Sequence, residues 1–260
     1  MKNQLTLSLI AFLFYACQSS PGTEQTTSKD DTLQATTSTQ NALTPEEQTA
    51  GWQLLFDGTS TAHWRGYGQE NMPSLGWGVK DGALVIDKTP NPKPAGFGGD
   101  IITKEKFGNF ELMVDFMISD TANSGIFYFV MEEEGSPMWH NAPEYQILDN
   151  ATYAKMGGDF DLNTHRTGDN YDMQSAAKDF MKPVGEWNTA RIVQKDGHVE
   201  HWLNGNKCIE YQVGSPEWEA LVKKSKFKDY PKYGRTTPGY IGLQDHDYEV
   251  RFRNIKIRSL

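Results

Sequence analysis

Glu144, Gln146 and Asp149 are the residues whose types and spacing best suit chemistry. They lie in Pro143-Glu144-Tyr145-Gln146-Ile147-Leu148-Asp149-Asn150. Strand side chains alternate faces, so Glu144 and Gln146 point the same way. A one-residue bulge after Gln146 would bring Asp149 round to join them. Two carboxyls beside an amide can transfer protons, hold sugar hydroxyls or bind a metal ion. A polar edge strand facing water has the same spacing.

The elements that must position these residues are short strands. Trp52 to Gly58 opens a domain as strand and turn. Trp77 to Lys80 and Ala83 to Ile86 form a hairpin about Asp81-Gly82, whose residues accept the positive φ of a tight turn. Phe110, Leu112, Val114, Phe116 and Ile118 share one face, and Gly125 to Met131 is apolar on both. Asp196-Gly197 and Asn204-Gly205 mark further hairpins, and Ile241 to Gln244 and Val250 to Ile257 close the chain. Strands joined by such turns, with no alternating helices, predict an all-β antiparallel sandwich. One helix is expected, with Ser215 as cap, Pro216 at its first position and Lys223, Lys224 and Lys226 at its end, where they complement the dipole. Ala151 to Trp187 lacks periodicity and carries His165, Arg166 and Tyr171. A span of that length inside a domain is usually functional.

The N-terminus predicts export. Lys2 and the apolar run Leu5 to Ala16 have the design of a signal peptide, too short to span a bilayer. The run ends in Leu13-Phe14-Tyr15-Ala16-Cys17, similar to a bacterial lipoprotein signal cut before a lipidated cysteine, with Tyr15 bulkier than usual. The expected organisation is a signal at 1–16, lipidated Cys17 and a Ser/Thr-rich disordered tether over 17–48, and one domain over 49–260. The protein is thus expected lipid-anchored in the cell envelope, with the leaflet undetermined. Cys208 is the only other cysteine, so a lipidated Cys17 leaves no disulfide. The net charge of −9 becomes one unit more negative without the leader, which holds Lys2 and no acid. No basic stripe exists for phosphates, which argues against nucleic acid as a partner.

Seven stretches make the chain similar to the 3-keto-disaccharide hydrolase domain family: Leu54 to Gly58, Ser124 to Phe127, Glu144 to Asp149, Gly185 to Asn188, His201 to Gly205, Ser225 to Lys228 and Gly242 to His246. Phe252 to Ile257 completes the pattern. Gly168-Asp169-Asn170-Tyr171 departs from the Gly-Ala-Leu-Tyr common in relatives, and Asp247 stands where glycine is common. The resemblance implies a concanavalin A-like jelly roll of two antiparallel sheets, with a ligand groove on its concave face. It also implies cleavage of glycosides already oxidised at C3, by lyase and hydratase steps that sum to hydrolysis. Laminarinase-type glucanases share that fold and carry Glu-x-Asp-x-x-Glu; Glu144-x-Gln146-x-x-Asp149 lacks the middle carboxylate.

A C3 ketone acidifies the C2 proton, so a base can form an enolate that expels the C1 substituent, and water then adds to the enone. Such a site needs a base, a proton donor and a cation or donor at the enolate oxygen. Glu144 or a histidine is expected as base, with His246 or His165 as acid partner. Gln244 and His246 share a face if their strand runs on, while Asp245 points away. Gln146, Asp149, Gln244, Tyr171 and Trp139 are expected to bind sugar, and Arg166 to stabilise the enolate. His201, in phase with Val199 and Leu203, is expected to be structural.

No cofactor is expected. A divalent metal ion would suit enolate chemistry, but no His-x-x-x-His motif is present. No dinucleotide fingerprint is present either, so a separate oxidoreductase must make the substrate. A carbohydrate-binding lipoprotein without catalysis and a conventional endoglucanase are the competing functions.

Overall fold

Among the described residues, thirteen strands, paired antiparallel throughout, build two sheets. In the computed structural model, residues 40–156 and 162–260 are described. They are β1 (Gln53–Leu54), β2 (Trp64–Gly66), β3 (Trp77–Lys80), β4 (Ala83–Ile86), β5 (Ile101–Thr103), β6 (Phe110–Ile118), β7 (Asn123–Val130), β8 (Glu144–Leu148), β9 (Asn188–Lys195), β10 (His198–Leu203), β11 (Asn206–Gln212), β12 (Tyr240–Leu243) and β13 (Val250–Ser259). The larger sheet runs β11-β10-β9-β6-β13-β4-β3, with β1 on β13, and the smaller runs β2-β5-β12-β7-β8. This is the expected concanavalin A-like sandwich.

The core lies between the sheets. Leu112, Val114 and Phe116 of β6 and Ile192 of β9 meet Ile126 and Tyr128 of β7 and Tyr145 and Ile147 of β8 in one buried cluster. Burial of such side chains contributes roughly 1.5–3 kcal/mol each. Asp81, Asp196 and Asn204 adopt φ near +50° at the three hairpin turns, as their positions just before a glycine predicted.

Helix content exceeds the single helix expected. Pro216–Lys224 forms as predicted, with Ser215 Oγ accepting from Trp218 N. Two shorter helices join it, Pro45–Thr49 and Asn150–Met156, the second inside the span expected to be irregular. The ordered chain also starts earlier than residue 49. Thr44 and Glu47 form a reciprocal capping box, Asn41 exchanges hydrogen bonds with Asn254, and Glu47 pairs with Lys256. Residues 40–48 thus belong to the fold, not to the tether. The signal, Cys17 and the rest of the tether lie outside the described residues, as do residues 157–161.

Candidate active site

The smaller sheet turns one face to the core and the other outward, and the outward face holds the site. Register sets Gly125 opposite Gln146 and Phe127 opposite Glu144. Tyr145 and Ile147 go inward, so Glu144 and Gln146 go outward as alternation predicted. Gly125 leaves Glu144 its space. A methyl group there would stand 2.8 Å from Glu144 Cγ and Cδ and closer still to Oε1. Turned end for end, the Gln146 amide donates to Glu144 Oε1 at 2.9 Å and to the Ser124 carbonyl at 3.2 Å.

Just past β12, Gln244 N donates to the Gly125 carbonyl at 3.0 Å, and the Gln244 carbonyl accepts from Ser124 Oγ at 2.8 Å. Its side-chain Oε1 is buried without a hydrogen-bond partner among the described residues. Leu243 pairs with Ile101, so one step further Gln244 faces Asp100, whose Oδ1 accepts from Asp245 N at 3.0 Å. Asp100, Gln244, Gly125 and Gln146 thus cross four strands in a row, with Glu144 beside them.

Burial pushes the Glu144 carboxyl up to about 8, and the charge of Asp100 adds to the rise while Lys226 works against it. Asp100 is pushed up to about 6, chiefly by burial and then by the Asp245 charge. The Tyr171 phenol is driven to about 12 by burial, by Glu144 and by Asp172, so it is a proton donor across the neutral range. Burial lowers Lys226 against the opposing pull of Glu144 and Asp172.

The long loop forms the adjoining wall. Gly168 N donates to the Gln146 carbonyl, Gln146 N to the Asp169 carbonyl and Tyr171 N to the Glu144 carbonyl, at 2.9–3.1 Å. The loop thereby covers the edge of β8, an edge that would otherwise offer unpaired backbone groups. His201 reaches it from the larger sheet: Nδ1 lies 3.2 Å from the Gly168 carbonyl and Nε2 2.8 Å from the Tyr128 hydroxyl. Burial lowers His201 to about 3, so it is neutral and structural, as expected.

Other expected site residues stand elsewhere. β8 has no bulge after Gln146, and Asp149 does not join it. Asp149 instead accepts from Thr152 N and Thr121 N at 3.0 Å, capping the 150–156 helix. Arg166 donates to Ser175 Oγ and the Ala176 carbonyl, both at 2.6 Å, with Asp169 at 4.0 Å. Its guanidinium fastens the loop to itself. The strand ends at Leu243, so the phase argument for His246 fails: His246 is exposed, and Asp245 is the buried neighbour, accepting from Gly99 N. His165 lies at the loop, its ring 4.4 Å from that of Tyr171 and Nε2 3.6 Å from Asp172 Oδ1. Trp139 and Tyr171 do come together, on either side of Lys226 Nζ at 4.7 and 4.1 Å from their ring centres.

Two site residues carried no local signal. Lys226 was expected to serve the helix dipole, but the helix ends at Lys224, and Lys226 opens a separate 3-10 turn (Lys226–Asp229). Asp100 precedes Ile101-Ile102-Thr103 in phase with Ile102, a pattern that places it on a strand face without naming its neighbours. Beside Asp100 an open cleft of about 1130 Å³ is lined by Arg65, Tyr67, Glu132, Glu133 and Ser136 among others. Among the described residues, His198, Glu200 and Glu210 group closely enough for a metal ion, but Lys207 already pairs with both glutamates there, on the larger sheet.

Residues 51–258 match the model of the 3-keto-alpha-glucoside-1,2-lyase-like domain family. The chain belongs to this family. A relative from Bacteroides thetaiotaomicron, named 3-keto-disaccharide hydrolase, is 37% identical over 232 residues, 81% of this chain and 79% of its own. Two solved structures from Parabacteroides distasonis, both described as putative glycosyl hydrolases, are also similar. One is 34% identical with a TM-score of 0.77, covering 85% of this chain and 100% of its own. The other is 27% identical with a TM-score of 0.61, covering 80% and 99%. Family membership thus extends over the sandwich and includes every residue of the outward-facing row.

Proposed function

We propose that this protein is an enzyme that cleaves 3-keto-disaccharides and related 3-keto-glycosides by elimination and hydration, with net hydrolysis. The name of the 37%-identical relative and the family description support the substrate class. The observation that carries the chemistry is Glu144, a buried carboxyl at about 8 on the floor of the outward face. A base is most effective when its pKa lies near the working pH.

Glu144 takes the C2 proton, and the C–H pair becomes the C2–C3 double bond of an enolate. Collapse of the enolate restores the ketone, forms the C1–C2 double bond and breaks the C1–O bond, and the leaving oxygen takes a proton. The Tyr171 phenol and the proton now on Glu144 are the nearby sources. Water then adds across the enone, hydroxyl to C1 and hydrogen to C2. Gln146 holds Glu144, the unpaired Oε1 of Gln244 accepts from a sugar hydroxyl, and the cleft beside Asp100 has room for the second sugar.

The substrate must come from a separate oxidoreductase acting at C3. A lipid at Cys17 would anchor this protein in the envelope, and Cys17→Ser should move it from the membrane to the soluble fraction. For the activity, the purified protein is incubated with a 3-keto-disaccharide in D2O and followed by NMR. Aglycone release through a transient enone, with deuterium at C2, is expected. Binding without turnover would sink the enzyme reading in favour of a carbohydrate-binding protein, and release of sugar from unoxidised glucan would favour an endoglucanase.

A further inference from the structure

The enolate oxygen needs a cation or a strong donor, and Arg166 is committed to Ser175, Ala176 and Asp169. Lys226 lies where Arg166 was expected to act. Ser225 ends the preceding helix and its Oγ accepts from Phe227 N, so the chain turns sharply at Lys226. The backbone N of Lys226 donates to Asp172 Oδ2 at 2.7 Å, which fastens the turn to the loop. Its side chain then runs between rings, with Nζ 4.1 Å from the centre of Tyr171, 4.7 Å from Trp139 and 5.2 Å from Phe227.

Ring faces attract an ammonium without consuming its hydrogen-bond donors in the way a carboxylate does. Among the described residues Lys226 enters no close ion pair. The acids that act on it through space are Glu144 from β8 and Asp172 from the loop, and Asp100 acts in turn on Glu144. A cation steered by aromatic faces, within electrostatic reach of the residue that takes the proton, suits the negative charge that develops.

We propose that Lys226 is a catalytic residue: its ammonium, held between Trp139 and Tyr171, binds O3 of the keto sugar and carries the charge of the enolate. The assignment rests on the elimination reading above. When Glu144 removes the C2 proton, the π pair of the carbonyl moves to O3 beside the ammonium. Lys226 keeps its three protons and donates a hydrogen bond. The O3 pair returns as the C1–O bond breaks, so the cation serves only while the charge is present.

The test uses the whole chain with Lys226→Met, which keeps side-chain length and apolar contact with the rings, and Lys226→Arg, which keeps the charge. Three quantities are read on a 3-keto-glucoside: C2 hydrogen exchange in D2O, kcat and KM separately, and the pH profile of kcat/KM. In Lys226→Met, exchange and kcat should both fall about 10²–10³-fold while KM changes little. Its rising limb should move to higher pH, because the Lys226 charge no longer favours ionised Glu144. Lys226→Arg should recover part of the rate. Wild-type exchange in Lys226→Met, a loss confined to KM, or a loss of kcat with an unmoved pH limb would each overturn the assignment. No turnover by the wild-type chain would overturn the functional reading and the assignment with it.

Discussion

Glu144 lies over the bare backbone of Gly125. The two residues sit on adjacent strands, and the missing side chain of one is the space occupied by the carboxyl of the other. Gly125 has no left-handed backbone requirement, so alanine fits its conformation, and the nearest atoms its methyl would meet all belong to Glu144. Gly125→Ala should fold with a melting temperature lowered by the forced shift of buried Glu144, and lose about 10²-fold or more in kcat because the base is displaced. A fully active Gly125→Ala would remove Glu144 from the reaction.

Glu144→Gln should lose about 10²–10⁴-fold in turnover while gaining stability at alkaline pH. The sign follows from linkage. Because its folded pKa of about 8 lies above the ordinary 4.5, the folded state holds this proton more tightly, and stability is lost as pH rises between those values. The full span is worth roughly 2–5 kcal/mol, and Glu144→Gln should be relieved of it above pH 8. Urea melts at pH 5 and pH 9 check the stability, and the wild-type profile of kcat/KM should rise with a midpoint near 8.

Arg166→Met separates a structural staple from a catalytic cation. It removes two charge-assisted hydrogen bonds and should cost roughly 2–4 kcal/mol. The kcat of the folded fraction should stay within about threefold of wild type, whereas a residue stabilising the enolate would cost about 10²–10³-fold. Denaturation and kcat measured on the same sample distinguish the two.

His201 imposes the opposite pH slope from Glu144. Its folded pKa of about 3 lies below the ordinary 6.5, so stability is lost as pH falls below about 6.5, at about 1.4 kcal/mol per pH unit. His201→Gln should flatten that acid limb, at a cost near neutral pH because the Tyr128 and Gly168 contacts are altered. An acid limb unchanged by His201→Gln would show that His201 is not its source.

The strands were legible because their signals are local. The alternation of Phe110 to Ile118, the Asp-Gly and Asn-Gly turns and the capped helix at Ser215 each follow from a few neighbouring residues. The outward face of Glu144 and Gln146 was legible for the same reason. Asp149 was misjudged because a bulge and a helix cap leave similar traces: a carboxylate just after a strand also caps the helix that follows. The phase argument for His246 failed because periodicity cannot tell where a strand stops. Asp100 and Lys226 were not legible as partners of Glu144, since only the register of β5 on β12 and the sharp turn after Ser225 bring them near it.

Because the loop is hydrogen-bonded along β8, it cannot swing away as an independent flap. Lifting it would strip Gly168, Gln146 and Tyr171 of the hydrogen bonds they donate and leave Glu144 on a frayed margin. Sugar must therefore enter from above the sheet, past Lys226 and Trp139, and the amides of Gly168 and Tyr171 should exchange with solvent as slowly as those of the strand beside them.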